Sequence, residues 1–335
     1  MFTPARRRWQ MHGLTIEGSW SAPEIGERWC ATFAPLPLTA ATPDLGIQLS
    51  LVAQVPAAPS ATPNFTQGDL LAYYLQGPLV LAHFPRFGQL ELDLAHGTTR
   101  GVITLAALAT YGVFEDLLAI GLSPHLRRRG QFLLHAFAAA PAANAPAVLI
   151  IGDIGAGKTT TGLALLHAGW KLLSNDSPIL TADAGVVSVL AYPGLLSAYP
   201  DTLARFSELG SLILLAPVRE KTIFAAEAVY PDVWLSATSA GVLLFPQIEN
   251  RPEHALEPLS PPEALQLILP HAIEQWDRAM IPSHLALLTQ LIQTTPAYRL
   301  RLGPDTDTLP AILASTLDKS PLQQPAHDPI PPRVR

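Results

Sequence analysis

Residues 152–159 read Gly152-Asp153-Ile154-Gly155-Ala156-Gly157-Lys158-Thr159, a glycine-rich run closed by a lysine and a hydroxyl. The spacing G-x-x-x-x-G-K-[ST] suits one chemistry, the holding of a phosphate chain. Glycines let the backbone wrap close to the phosphates, and N–H groups at a helix start face the anion. Lys158 would reach the β- and γ-phosphates, and the Thr159 hydroxyl would ligate Mg²⁺. Gly152, Asp153, Ile154, Gly155, Ala156, Gly157, Lys158, Thr159 and Thr160 are thus candidate contacts to ATP, with Asp153 contributing only its N–H. The competing reading is a structural glycine turn.

Two residues beside this run could move a proton. Asp176 closes the segment Leu172-Leu173-Ser174-Asn175-Asp176, and His135 precedes the run in Phe132-Leu133-Leu134-His135-Ala136. A hydroxyl that attacks a phosphoryl group needs a base within hydrogen-bond reach and neutralised charge around the moving group. Asp176 can supply the base. Its alternative is a strand-end aspartate that caps a turn, and that of His135 is a satisfied core histidine. Asp201 reads as a helix N-cap before Thr202. Lys221 is a candidate second phosphate contact, and Arg127, Arg128 and Arg129 read as a solvated helix face.

These residues need elements to hold them. Ala147–Ile151 is a continuous apolar run, the mark of a strand buried on both faces. A helix pattern covers residues 158–168, ended by Gly169 as a C′ residue. Residues 170–173 read as the next strand, with Asp176 near the phosphates if the two strands are neighbours. Strand, loop, helix, strand implies an α/β fold. Further strands are expected at 187–192, 212–215 and 241–245, and helices at 260–269 and 282–292. Both of those helices carry proline in the first turn, where its missing N–H costs nothing. Upstream, residues 1–125 form a β-rich N-terminal region, with strands such as 46–55 and 89–94. Helical spacing appears at 114–122 and again at 124–135. The nucleotide-binding domain is placed at 126–315, and a disordered proline-rich tail at 316–335.

Composition narrows the field. The 335 residues hold 14% charged and 49% apolar side chains and 33 prolines. A net charge of −6 gives no basic footprint for nucleic acid. One cysteine, Cys30, excludes a disulfide framework and a cysteine-rich zinc site. The most apolar stretch, residues 131–151, is broken and polarised by His135, Pro141, Asn144 and Pro146, so no membrane span is expected. The first thirteen residues carry arginines but no apolar h-region, so the chain reads as soluble and cytoplasmic. Alanine and leucine make up most of the apolar excess, which suits a buried sheet flanked by helices.

His135-Ala136, an apolar strand, a loop ending in Gly157-Lys158-Thr159, a helix ending in Ala168-Gly169, a strand and Asn175-Asp176 together resemble the HPr kinase/phosphorylase family. More closely, they look like its wider set of HPr-kinase-like proteins with the PEP-carboxykinase-type P-loop fold. The likeness is specific over residues 127–180 and looser over 191–266; it does not reach the first 80 residues or the tail. It implies an ATP-dependent kinase that transfers the γ-phosphoryl to a hydroxyl, serine by preference, of a peptide or protein partner. By position, Asp176 falls on the family's proton acceptor, and His135 on a histidine of its catalytic centre. This chain departs from the pattern in three places. Asn175 replaces the first acid of the pair, Thr160 stands where glutamate is found, and the C-terminal E-I-R-G-x-G signature is absent, which leaves Asp201, a similar distance beyond Asp176, as the candidate metal-side carboxylate beside the Thr159 hydroxyl. HPr itself is therefore not the expected substrate. An ATP-binding regulatory or assembly module without transfer and a small-molecule kinase stay open, as does a homo-oligomer.

Overall fold

Alternation of buried and exposed side chains along residues 5–103 builds a first sheet, as in the burial of Leu45, Ile47 and Leu49 within one strand. The computed structural model describes residues 5–183, 185–213, 220–249 and 251–319. In chain order the strands are β1 (Ala5–Met11), β2 (Leu14–Trp20), β3 (Leu45–Leu51), β4 (Phe65–Gln67), β5 (Leu71–Gln76), β6 (Leu79–Phe84), β7 (Gly88–Asp93) and β8 (Thr98–Ile103). They lie in the order β1-β2-β3-β8-β7-β6-β5-β4. β3 runs parallel to both β2 and β8, and the other neighbours are antiparallel. Helices α1 (Pro23–Thr32), α2 (Leu105–Ala109) and α3 (Val113–Arg127) accompany the sheet. Its core gathers Trp9, Trp29 and Phe33, with the two indoles stacked at 6.0 Å.

Sequence spacing at 114–122 and at 124–135 suggested two helices, but α3 is one helix that carries Pro124 inside it. It ends at Arg127, so Gln131 to His135 are not helical; Phe132–Leu133 is a short strand, β9. Tertiary packing overrides the proline here, because α3 is buried on most of its last two turns.

The second sheet is built from β9, β10 (Ala136–Ala140), β11 (Ala147–Ile151), β12 (Lys171–Ser174), β13 (Ile179–Asp183) and β14 (Val186–Leu190). A small pair, β15 (Leu196–Ala198) and β16 (Thr222–Phe224), stands apart. The long β17 (Ala237–Ile248), with β18 (Ala255–Pro258) and β19 (Ala297–Leu302), completes the second sheet. Its helices are α4 (Lys158–His167), α5 (Pro200–Leu203), α6 (Gly210–Ile213), α7 (Pro261–Ile268), α8 (Ile281–Thr294) and α9 (Leu309–Asp318).

β11 and β10 are buried along their whole length. Val148 and Ile150 face the core shared with α4 and α9, while Leu149 and Ile151 face that of α7 and α8. This is a three-layer α/β arrangement, and it explains the alanine-rich Ala136–Ala140: small side chains let helices close on both faces. Of the strand expected at 212–215, only residues 212 and 213 are described, and they are not a strand but helical in α6; the rest lies outside the described residues. α9 runs on to Asp318 with Leu317 buried, past the expected start of the tail at 316; residues 320–335 lie outside the described residues. Among the described residues no helix is long and apolar enough to cross a membrane.

Candidate active site

The glycine-rich run forms a tight loop between β11 and α4. Gly155 and Gly157 take φ of 84° and 103°, where a side chain is strained. A Cβ on Gly157 would also lie 2.6 Å from Leu302 Cδ1. The first bond of the helix is Thr161 N–H to Gly157 O at 2.9 Å. Helix geometry therefore leaves the N–H groups of Lys158, Thr159 and Thr160 unspent. The Thr159 hydroxyl has no hydrogen-bond partner among the described residues. Unspent N–H groups, a free hydroxyl and a lysine at one helix start fit the phosphates of a nucleotide and its Mg²⁺.

Sheet order decides how the other residues meet this loop. β12 is not the neighbour of β11; β10 lies between them, antiparallel to both. The start of β10 therefore sits between the C-terminal ends of β11 and β12. His135 occupies that start, with its Nε2 3.1 Å from Lys158 Nζ and its Nδ1 3.2 Å from Asp176 Oδ1. Backbone bonds hold the arrangement, Ala136 N–H to Asp176 O at 3.0 Å and His135 N–H to His271 O at 2.8 Å. Asp176, His135 and Lys158 thus form a line from strand end to loop. Ligand sites at the carboxyl ends of strands are the rule in open α/β sheets.

The charges in this line are tuned by their setting. Asp176 keeps 54% of its side chain in solvent while protein crowds around it, as on the floor of a cleft. Burial raises its carboxyl, but the His135 hydrogen bond and the charges of His135, Lys158 and Lys221 outweigh that and hold it below the usual range. Lys158 is lowered, chiefly by burial, against the opposing pull of Asp176 and Asp153. Its Nζ donates to Gly152 O at 2.5 Å and Asp153 O at 3.2 Å.

The residues flanking this line differ in their settings. Asn175 turns its amide away and donates to Leu195 O at 3.2 Å. A carboxylate could not make that bond, so asparagine there has a structural use. Thr160 Oγ1 meets Thr202 Oγ1 at 3.4 Å, which ties α4 to α5. Asp201 is exposed in the first turn of α5, its Oδ1 accepting the Thr202 N–H at 2.9 Å; the N-cap is Tyr199. Lys221 Nζ lies 5.3 Å over the rings of both Tyr111 and Tyr199. Arg127 is not part of a solvated face: it is 3% exposed and paired with Asp277 at 2.9 Å. Among the described residues no three His, Cys, Asp or Glu side chains gather as a metal group.

Three members of this neighbourhood carry no local signal in the sequence. His271 follows α7; its ring stacks on His135 with centroids 6.0 Å apart, and its Nε2 lies 3.9 Å from Asp153 Oδ1. Burial lowers it, followed by the opposing effects of Asp153 and His135. Asp116 projects from α3 and Tyr111 from the turn before it. Each is far from residues 152–176 in the chain, and only the packing of α3 and α7 against the second sheet brings it near.

No family model and no curated protein matches the chain. A solved structure of the Hpr(Ser) kinase/phosphatase from Coxiella burnetii is similar at 15% identity and a TM-score of 0.31, over 57% of this chain and 90% of that one. A superposition this loose is a distant structural relationship, and the chemistry of the site rests on its own geometry.

Proposed function

We propose that the chain is an ATP-dependent phosphotransferase that passes the γ-phosphoryl to a hydroxyl acceptor, serine of a peptide or protein being the leading class. The observation that carries this reading is the line Asp176–His135–Lys158, which joins a carboxylate held ionised to the lysine of a phosphate-binding loop. ATP supplies the phosphoryl group; Mg²⁺ would be held by the Thr159 hydroxyl, with Asp201 on α5 as a second candidate ligand, and would neutralise the phosphate charge. The remaining work belongs to the chain. The loop N–H groups and Lys158 hold the phosphates. Asp176 accepts the hydroxyl proton as the acceptor oxygen bonds to phosphorus and the bond to the ADP oxygen breaks. His135 orients Asp176 and lies close enough to share the proton. Asn175, where the resemblance expects an acid, has a structural use in its bond to Leu195 O, so its presence is no argument for a module without transfer.

The test separates binding from chemistry. Affinity for a fluorescent ATP analogue should fall tenfold or more in Lys158→Ala and stay within threefold of wild type in Asp176→Asn. Transfer from γ-labelled ATP to a serine-peptide mixture should fall at least 100-fold in Asp176→Asn. Equal transfer by that variant and wild type would remove Asp176 from the role of base.

A further inference from the structure

A cavity of about 420 Å³ opens beside the Asp176–His135–Lys158 line, between α3 and the second sheet. One wall is apolar and comes from the first sheet and α3: Leu70, Leu71, Phe84, Phe87, Val113 and Ile120. Leu70 is 64% exposed at its mouth. The polar lining is His135, His271, His284 and Glu274, with Asp116 on α3 between Val113 and Ile120. His135 therefore belongs to both the candidate active site and the cavity. A pocket of this size that is mostly apolar, with a few convergent polar groups, is the usual form of a small-molecule site.

The unpaired charges on the lining are one-sided. Neither Asp116 nor Glu274 has a side-chain hydrogen bond or ion pair among the described residues. The one arginine on the lining, Arg127, is spent on Asp277. His284 is 3% exposed, lines the cavity, and keeps a buried Nε2 with no hydrogen-bond partner among the described residues. A buried polar atom left unmatched calls for a ligand or water to satisfy it. Its crowded position, followed by the charges of Asp176 and Glu115, raises the Asp116 carboxyl to about 7.

We infer that this cavity is the acceptor subsite, and that it takes an apolar acceptor carrying a cationic amine near its hydroxyl. The inference rests on the phosphotransferase reading. The apolar body lies against the α3 wall, the amine pairs with Asp116, and the hydroxyl points past His135 toward Asp176. Asp116 is then a specificity residue supplied by the N-terminal half of the chain. A free amino alcohol and an N-terminal serine followed by an apolar residue share this chemistry.

Isothermal titration of the full chain with L-phenylalaninol, L-seryl-L-phenylalaninamide and the neutral 3-phenylpropan-1-ol tests it. At least one of the two amines should bind saturably, and which one tells the free alcohol from the peptide end. The neutral alcohol should bind at least tenfold more weakly. Asp116→Asn, an exposed change of nearly the same shape, should weaken amine binding tenfold or more. Ile120→Trp, which fills the cavity, should abolish it. Lys158→Ala should leave it within twofold while nucleotide affinity drops. The assignment is overturned if neither amine binds a wild-type protein that binds nucleotide, or if Asp116→Asn binds as tightly as wild type. Wild type that binds the amines but no nucleotide would sink the transferase reading alone.

Discussion

Two histidines illustrate how single side chains can set a response of the whole chain. His125 and His284 are 1% and 3% exposed, and burial lowers each to about 4, with nearby arginines adding to the effect. The unfolded chain would protonate both near 6.5. Because the folded pKa is the lower one, their stabilising contribution is complete above pH 6.5 and is lost as pH falls from there toward 4. Each then costs on the order of 2–4 kcal/mol at the acid end. Thermal melts should show Tm dropping by roughly 5–10 °C between pH 7 and 4.5. Replacing His284 by glutamine should remove a good part of that slope, and an unchanged slope would mean that His284 is not its source. Asn175 makes a related point: sequence marks it as a missing acid, whereas its contact shows a donor that an acid could not replace.

At the scale of elements, α4 carries a glycine that propensity alone would count as a defect. Gly162 lies inside the helix and is buried, and a Cβ there would come within 2.5 Å of the Phe137 ring on β10. Alanine is favoured over glycine in a helix by ~1 kcal/mol, but Phe137 is fully buried and cannot yield cheaply. Gly162→Ala should therefore destabilise the protein by about 1–3 kcal/mol, read from urea unfolding. A stabilised variant would show that the helix can shift. The close approach matters to the site, since it seats α4, and with it Lys158, against the strand that begins beside His135.

Across the whole molecule, the contact between the two sheets runs through α3 and the segment before α8. Arg127 and Arg128 converge on Asp277, with Arg127 and Asp277 both 3% exposed. The Trp276 ring stacks on Tyr73 of β5 at 4.5 Å, and the Arg127 guanidinium lies 5.3 Å over that indole. Asp277→Ala would leave Arg127 buried without its counter-charge, at a cost of about 3–5 kcal/mol in denaturant unfolding. The double variant Arg127→Leu/Asp277→Leu should regain much of that loss, because no lone charge stays buried. If the single and double variants were equally destabilised, packing rather than charge would dominate. The same joint holds α3 in place, and so the positions of Asp116 and the cavity wall.

Much of the local order was legible in the residues themselves. Ala147–Ile151 as a doubly buried strand, the glycine loop and the helix after it follow from apolar runs, glycine freedom and lysine chemistry, all short-range. The pairing of β10 between β11 and β12 was not legible, because strand order depends on contacts between distant segments and leaves no periodicity in either. That order seats His135 between Lys158 and Asp176. Arg127 read as solvated because a run of three arginines looks like a surface; its burial follows from Asp277, which lies 150 residues away. Asp116, His271 and His284 likewise enter the site's surroundings only through packing. The sequence by itself determined the glycine-rich loop and its flanking elements, since their geometry is set within a few residues. The tertiary structure alone decided which side chains face that loop and what the neighbouring cavity can hold, since those contacts exist only once separate segments bury one another.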